Sequence, residues 1–267
     1  MKGKVIDFDM IEEHLKPNTD KNIRVTGNSN KGGILVTSED MKQILTEHTY
    51  LATDSVDAGL LLLDKRLNNE NDTSPDTINV YSVHELRLIL AGEGNAIIKP
   101  GKFICIMPRS FELNDFETQR KQIMEQKDTG HNSVNGGHFT LVSNLHCDTN
   151  EVKVYETFGP YRQPNQLLTT EGKQLIRNLL WLSDTDNEQQ QIKVKCINVV
   201  EQTESECGAL AFAIGLQLCF HHPTGGVHHF IQNVRQHMLF CLQQNELRDF
   251  VTEENVVDHE VIFSIKI

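Results

Sequence analysis

Hydrophobic positions recur at helical spacing in the first third of the chain, switch to strand-like runs through the middle, and return to helical spacing near the end. In TSED, Thr37 and Asp40 stand at capping-box spacing and predict a helix running to about Glu47. The next stretch, YLATDSVDAGLLLLDKRL, predicts a helix with Thr53 as N-cap and Val56, Leu60, Leu63 and Leu67 along one face. The acid-rich NNENDTSPDT reads as a surface loop, and Ser82 with Glu85 forms a second capping box before a short helix that stops at Gly92 or Gly94. The period then changes. Lys102 to Pro108, His138 to Asn144, Glu151 to Thr157 and Ile192 to Val200 read as strands. A helix in TTEGKQLIRNLLWL lies between the last two, and Trp181, the only tryptophan, is expected in the core. Two final helices are expected, Gly208 to His221 and Val227 to about Phe250, separated by HHPTGG.

Helices flanking a run of strands make an α+β layout. Residues 1–35 are polar and include TGNSNKGG, so they are expected to be an N-terminal extension to a domain spanning 36–267. A charged insertion at about 110–137, with a helix near Phe116 to Gln126, separates the first two strands.

Charge narrows the range of partners. A net charge of −12 over 267 residues disfavours nucleic acid and anionic membrane, because phosphate contacts need clustered lysine and arginine. The N-terminal MKGKVIDFDMIEEHLK carries carboxylates where a signal peptide would be apolar, and the longest apolar run, Gly208 to Phe220, is too short to span a bilayer. The expectation is a soluble intracellular protein, nuclear or cytoplasmic. Its six cysteines are scattered without a CxxC pair, which suits reduced thiols rather than a zinc cage or a disulfide framework.

One of these cysteines is differently placed. In QTESECGALAFAIGLQLCF, Cys207 follows a polar run and opens a helix with almost no polar face. The thiolate is the reactive form of a cysteine, and the exposed N–H groups of a helix N-terminus favour it. A histidine to take the proton and a carboxylate to orient that histidine would complete a nucleophilic site. His138 after the turn NGG and Glu156 before the next turn both stand at strand ends, and they converge if the two strands are neighbours. Gln202 then supplies an amide for a developing oxyanion, with the Cys207 N–H as its partner. Asp148 and Asn150 are the substitutes for Glu156 if the register slips. Cys219 and Cys241 read as buried apolar residues. The pairs His221–His222 and His228–His229 flank PTGG at a helix-loop-helix corner, and no metal is assigned to them.

The segments HFTLVSN, VYETFG and EQTESECGALAFAIG together resemble the ubiquitin-like-protein-specific cysteine proteases, the SUMO protease family. YLATDSV is similar to that family's upstream Trp-Leu-Asn-Asp-x-x-Ile stretch, and IQNVRQHMLFCLQQNELRDF to the tail of its transposon-associated members. The resemblance covers roughly Tyr50 to Phe250. It implies a papain-like fold with a central mixed or antiparallel sheet flanked by helices, cleavage after a Gly-Gly terminus, no cofactor, and a ubiquitin-like protein or its conjugates as partner. It also implies that Tyr50 and Phe139 take the place of two tryptophans that clamp the Gly-Gly tail. Four departures stand out: Glu156 for the usual Asp, Glu206 for the Asp before the cysteine, a Gln202-to-Cys207 spacing one residue short, and the 110–137 insertion. They leave two alternatives, a weak or inactive protease-fold module that binds a ubiquitin-like protein, and a processing protease of a mobile element or virus.

Overall fold

A computed structural model describes residues 19–27, 32–46, 49–68, 78–92, 98–108, 138–148, 150–157, 168–180, 192–198, 205–222, 224, 233–249 and 259–265. In chain order these form β1 (Ile23–Thr26), β2 (Gly33–Val36), α1 (Ser38–Leu45), α2 (Thr53–Leu67), β3 (Ile78–Tyr81) and α3 (Val83–Leu90). There follow β4 (Lys102–Pro108), β5 (Phe139–Ser143), β6 (Glu151–Glu156), α4 (Thr170–Leu179), β7 (Ile192–Asn198), α5 (Cys207–Phe220), α6 (Val234–Gln244) and β8 (His259–Ile265). The expected insertion, its helix and Trp181 lie outside the described residues.

Strands β3 to β8 form one sheet in chain order, parallel at β3–β4 and β6–β7 and antiparallel elsewhere. The unbroken apolar run KFICIMP has its reason here. Ile104 and Ile106 face one core while Phe103, Cys105 and Met107 face another, so β4 is covered on both sides. The smaller core packs Leu86 and Ile89 of α3 and Leu175, Ile176 and Leu179 of α4 against one face. The larger one holds α2, α5 and α6 against the other.

At the centre of the larger core lies α5, buried at every position from Cys207 to Cys219. That explains its missing polar face: a helix surrounded by neighbours must be apolar all round. Helix α2 is nearly as enclosed, with Ser55 to Asp64 all buried rather than one face of it, and its N-cap is Ala52, one residue before the expected Thr53. The helices meet closely. A Cβ on Gly59 would lie 2.7 Å from Cδ2 of Phe212.

Both capping boxes form as their spacing predicts, Thr37 with Asp40 and Ser82 with Glu85. The segment expected as a polar extension includes a hairpin among its described residues. Its residues β1 and β2 pair as an antiparallel hairpin, and Val25 and Val36 are buried in the larger core. Asn245, in the left-handed conformation at φ 51°, ends α6 and clamps this hairpin. Its side chain accepts from the Thr26 N–H at 2.8 Å and donates to Thr26 Oγ1 at 2.7 Å, while Lys65 Nζ donates to its carbonyl at 3.0 Å.

Two buried titratable groups act on stability in opposite directions. Asp57 on α2 accepts the first N–H of α3, from Val83, at 2.6 Å, yet burial pushes its carboxyl up to about 6. The folded chain therefore takes up this proton before the unfolded chain does, and stability falls as pH rises from about 4 to 6. His237 on α6 donates from Nε2 to the Arg248 carbonyl at 2.9 Å, and burial pushes it down to about 4. Here the unfolded chain is protonated first, so stability falls as pH drops from 6.5 towards 4. Between pH 7 and 4.5 each contributes about 2 kcal/mol of opposite sign. Urea midpoints at those two pH values check this: Asp57→Asn makes the protein more acid-sensitive than wild type, and His237→Gln makes it less so.

Candidate active site

Because β5 and β6 are antiparallel, the start of one and the end of the other lie at the same end of the sheet. The paired residues Leu141 and Tyr155 fix the offset, leaving three steps back to His138 and one step on to Glu156. The two side chains meet there, His138 Nε2 and Glu156 Oε1 being 2.6 Å apart, with both residues buried at 8% and 2% exposure. His138 stands just before β5 rather than beginning it.

Glutamate is one methylene longer than aspartate, and the site absorbs the difference locally. Glu156 Oε1 also accepts the N–H of its own neighbour Thr157 at 3.0 Å, so the side chain curls back along the backbone instead of extending. Cys207 is the other group that acts on the imidazole. With Nε2 committed to Glu156, the nitrogen left for Cys207 is Nδ1. Burial alone would disfavour the charged ring, but the neighbouring Cys207 and the Glu156 carboxylate at 2.6 Å outweigh it and hold His138 above the usual histidine range.

Cys207 is the first residue of α5 and 1% exposed. The first helical hydrogen bond runs from the Leu210 N–H to the Glu206 carbonyl at 2.9 Å, and the N-cap residue Glu206 makes no side-chain bond at this end. The N–H groups of Cys207, Gly208 and Ala209 thus precede the helical ladder, and the positive end of the helix dipole falls on the sulfur. Glu206, the N-cap, does not turn its carboxylate onto those groups. Gly208 is closely packed: a Cβ there would lie 3.3 Å from both Leu51 Cδ1 and Val56 Cγ2. The segment before α2 therefore lies directly on the first turn of α5. Tyr50, half-buried against the larger core, immediately precedes Leu51 in that segment, while Phe139 is buried in the same core next to His138 in the chain. Gln202 lies outside the described residues.

The sequence reading passed over Arg235, the second residue of α6, which is buried at 6% exposure. Its Nη1 donates to the carbonyls of Gln43 and Ile44 at 3.4 and 3.2 Å, and its Nη2 to those of Thr49 and Ser205 at 2.5 and 2.8 Å. One signal was available: an arginine on the same helical stripe as Met238, Leu239 and Leu242 is a charge on a buried face.

Of the histidine pairs, His221 and His222 have different neighbours. His221 meets the His146 ring at 5.1 Å, His222 bonds Asp249 at 2.9 Å, and His228 and His229 are outside the described residues. Among the described residues no group of three or more His, Cys, Asp or Glu is arranged to hold a metal ion. Nor, among them, is any helix long and apolar enough to cross a membrane.

No protein-family model and no curated protein sequence matches the chain. Solved structures do. A de-sumoylating protease superposes with a TM-score of 0.53 at 11% identity, covering 86% of this chain and 92% of that one. The C-terminal protease domain of Ulp1, solved in complex with Smt3, the yeast ortholog of SUMO, gives 0.52 at 10% identity over 89% and 93%. Ulp1 with its catalytic cysteine oxidised to a sulfenic acid gives 0.53 at 10% identity over the same shares, 89% and 93%. The α+β architecture read from the sequence is therefore the fold of the Ulp1-type SUMO proteases.

Replacing Glu156 with Gln removes one of the charges that raise His138 while keeping an acceptor for its N–H. The expected result is a fall in the His138 pKa, read from its ring resonances during an NMR titration, with the fold unchanged.

Proposed function

We propose that this protein is a cysteine peptidase that cleaves after the C-terminal Gly-Gly of a ubiquitin-like modifier. One observation carries the reading: in a Ulp1-type fold, a cysteine at a helix N-terminus acts electrostatically on a buried histidine whose Nε2 lies 2.6 Å from a buried glutamate. That is the arrangement thiol catalysis needs.

In this mechanism the Cys207 thiol passes its proton to His138, and the sulfur attacks the carbonyl carbon of the terminal glycine. The oxyanion that forms is held by the Cys207 N–H and the Gln202 amide. Collapse expels the amine, which takes its proton from His138, and leaves a thioester on Cys207. His138 then removes a proton from water, which releases the glycine carboxylate and the free thiol. Glu156 holds the ring in the tautomer that faces Cys207 and stabilises its charged form. Tyr50 and Phe139 supply flat apolar walls for a tail that has no side chains of its own. The modifier is taken from the SUMO class, since all three of the structural neighbours are described as acting on or binding SUMO.

The test is reaction with electrophilic probes built on the C-termini of SUMO, ubiquitin and other ubiquitin-like proteins. A covalent adduct with the SUMO probe, absent in Cys207→Ala, is the expected outcome. Folded, reduced protein that captures no probe would sink the proposal and leave a module that binds such proteins without cutting them. With an active substrate in hand, Gln202→Ala should lower kcat by about 10²-fold to 10³-fold.

A further inference from the structure

Arg235 holds a position that its own helix does not favour. A cation at the second residue of α6 opposes the positive end of that helix, and a buried guanidinium is costly unless its donors are used. The acceptors named above are all neutral backbone carbonyls. Two of them, Gln43 and Ile44, belong to the last turn of α1, so the charge sits on the negative end of that helix. The other two belong to segments with no secondary structure of their own. Thr49 immediately precedes Tyr50 and Leu51, and Ser205 lies two residues before Cys207.

The bonds to these last two carbonyls come from a single nitrogen, Nη2, which therefore fixes the two segments beside each other. The Leu51 side chain, two residues after Thr49, packs on Gly208. Thr49 Oγ1 ties its own segment back to α1 through the carbonyls of Gln43 at 3.0 Å and Thr46 at 2.7 Å, which gives the clamp a firm anchor.

We infer that Arg235 is a positioning residue of the candidate active site: its guanidinium registers the turn leading into Cys207 against the segment carrying Tyr50, and so sets how the thiol meets His138. The inference rests on the peptidase reading above. Planarity matters to it, because a fork of fixed N–H directions reaches four carbonyls at once, and a lysine ammonium at the end of a flexible stem does not.

The experiment is alkylation of Cys207 by iodoacetamide, followed by mass spectrometry of the Cys207 peptide at pH 6.5 and pH 9, at a temperature where each protein is folded by circular dichroism. The ratio of the two rates reads the help that Cys207 receives from its surroundings, where His138, Glu156 and Glu206 are the titratable groups in question, and it needs no modifier substrate. Arg235→Lys should lower that ratio about tenfold, a loss in keeping with a sub-ångström to ångström displacement of a reacting atom. Asn245→Ala is the control: it removes the Thr26 clamp at the opposite end of α6, lowers stability, and should leave the ratio at the wild-type value.

A folded Arg235→Lys protein with the wild-type ratio would overturn the inference while leaving the peptidase reading intact. A wild-type ratio no different from that of a free cysteine would instead overturn that reading, and this inference with it. If the lysine variant does not fold, Arg235→Ala is assayed with added ethylguanidinium. Saturable recovery of the ratio supports the clamp. Folded protein without recovery overturns it, as does failure of both variants to fold, which would make Arg235 a folding determinant alone.

Discussion

The complete burial of α5 is the constraint from which the rest of this structure follows. A helix with no solvent face cannot be placed at the edge of a domain, so the sheet, α2 and α6 must close around it. Its glycines mark where they do: a Cβ at Gly215 would lie 2.8 Å from Leu63 Cδ1 and 3.1 Å from Leu141 Cδ1, with α2 and β5 on hand at the same point. Held this tightly, the helix has little freedom along its axis, and its first residue is delivered to a defined place at the end of the sheet. A cysteine anywhere else in α5 would be enclosed by apolar neighbours, as Cys219 is, where burial pushes the thiol well above its usual range. Only the first position combines a fixed scaffold with free N–H groups.

The strands supply the other half of the site by a similar economy. Antiparallel pairing of β5 and β6 brings His138 and Glu156 to one end without any long loop having to hold them. The glutamate shows how such a site tolerates a change in side-chain length. Its extra methylene is taken up by a bond to the adjacent Thr157 N–H, which fixes the carboxylate as firmly as a shorter side chain would be fixed by reach alone. Buried polar groups stay affordable where a partner of suitable geometry meets them.

The same rule runs through the interior. Asp57 accepts from the start of α3, His237 donates to the Arg248 carbonyl, and Arg235 spends its donors on four carbonyls from three segments. The bonds of Asp57 and Arg235 link elements distant in sequence, and all of these bonds leave a titratable or charged group where a purely apolar contact would have been simpler. At Asp57 and His237 the consequence is a pair of opposing responses to acid. At Arg235 it is a connection between the two segments that flank the candidate nucleophile.

Much of this was legible in the chain itself. The two capping boxes, the alternating and continuous apolar runs, and the odd position of Cys207 at the mouth of an apolar helix are local patterns, and local backbone preferences are enough to write them. His138 and Glu156 could be picked out as strand-end residues for the same reason. The hairpin β1–β2 and the sheet's edge strands β3 and β8 were not read, because strands of this kind gain their stability from partners elsewhere rather than from their own spacing. Sequence determined which residues could do chemistry and which faces had to be covered. Tertiary structure alone decided that His138 lies between Glu156 and Cys207, that Leu51 rests on Gly208, and that one guanidinium joins four carbonyls, since each of these depends on distances between segments that no local periodicity specifies.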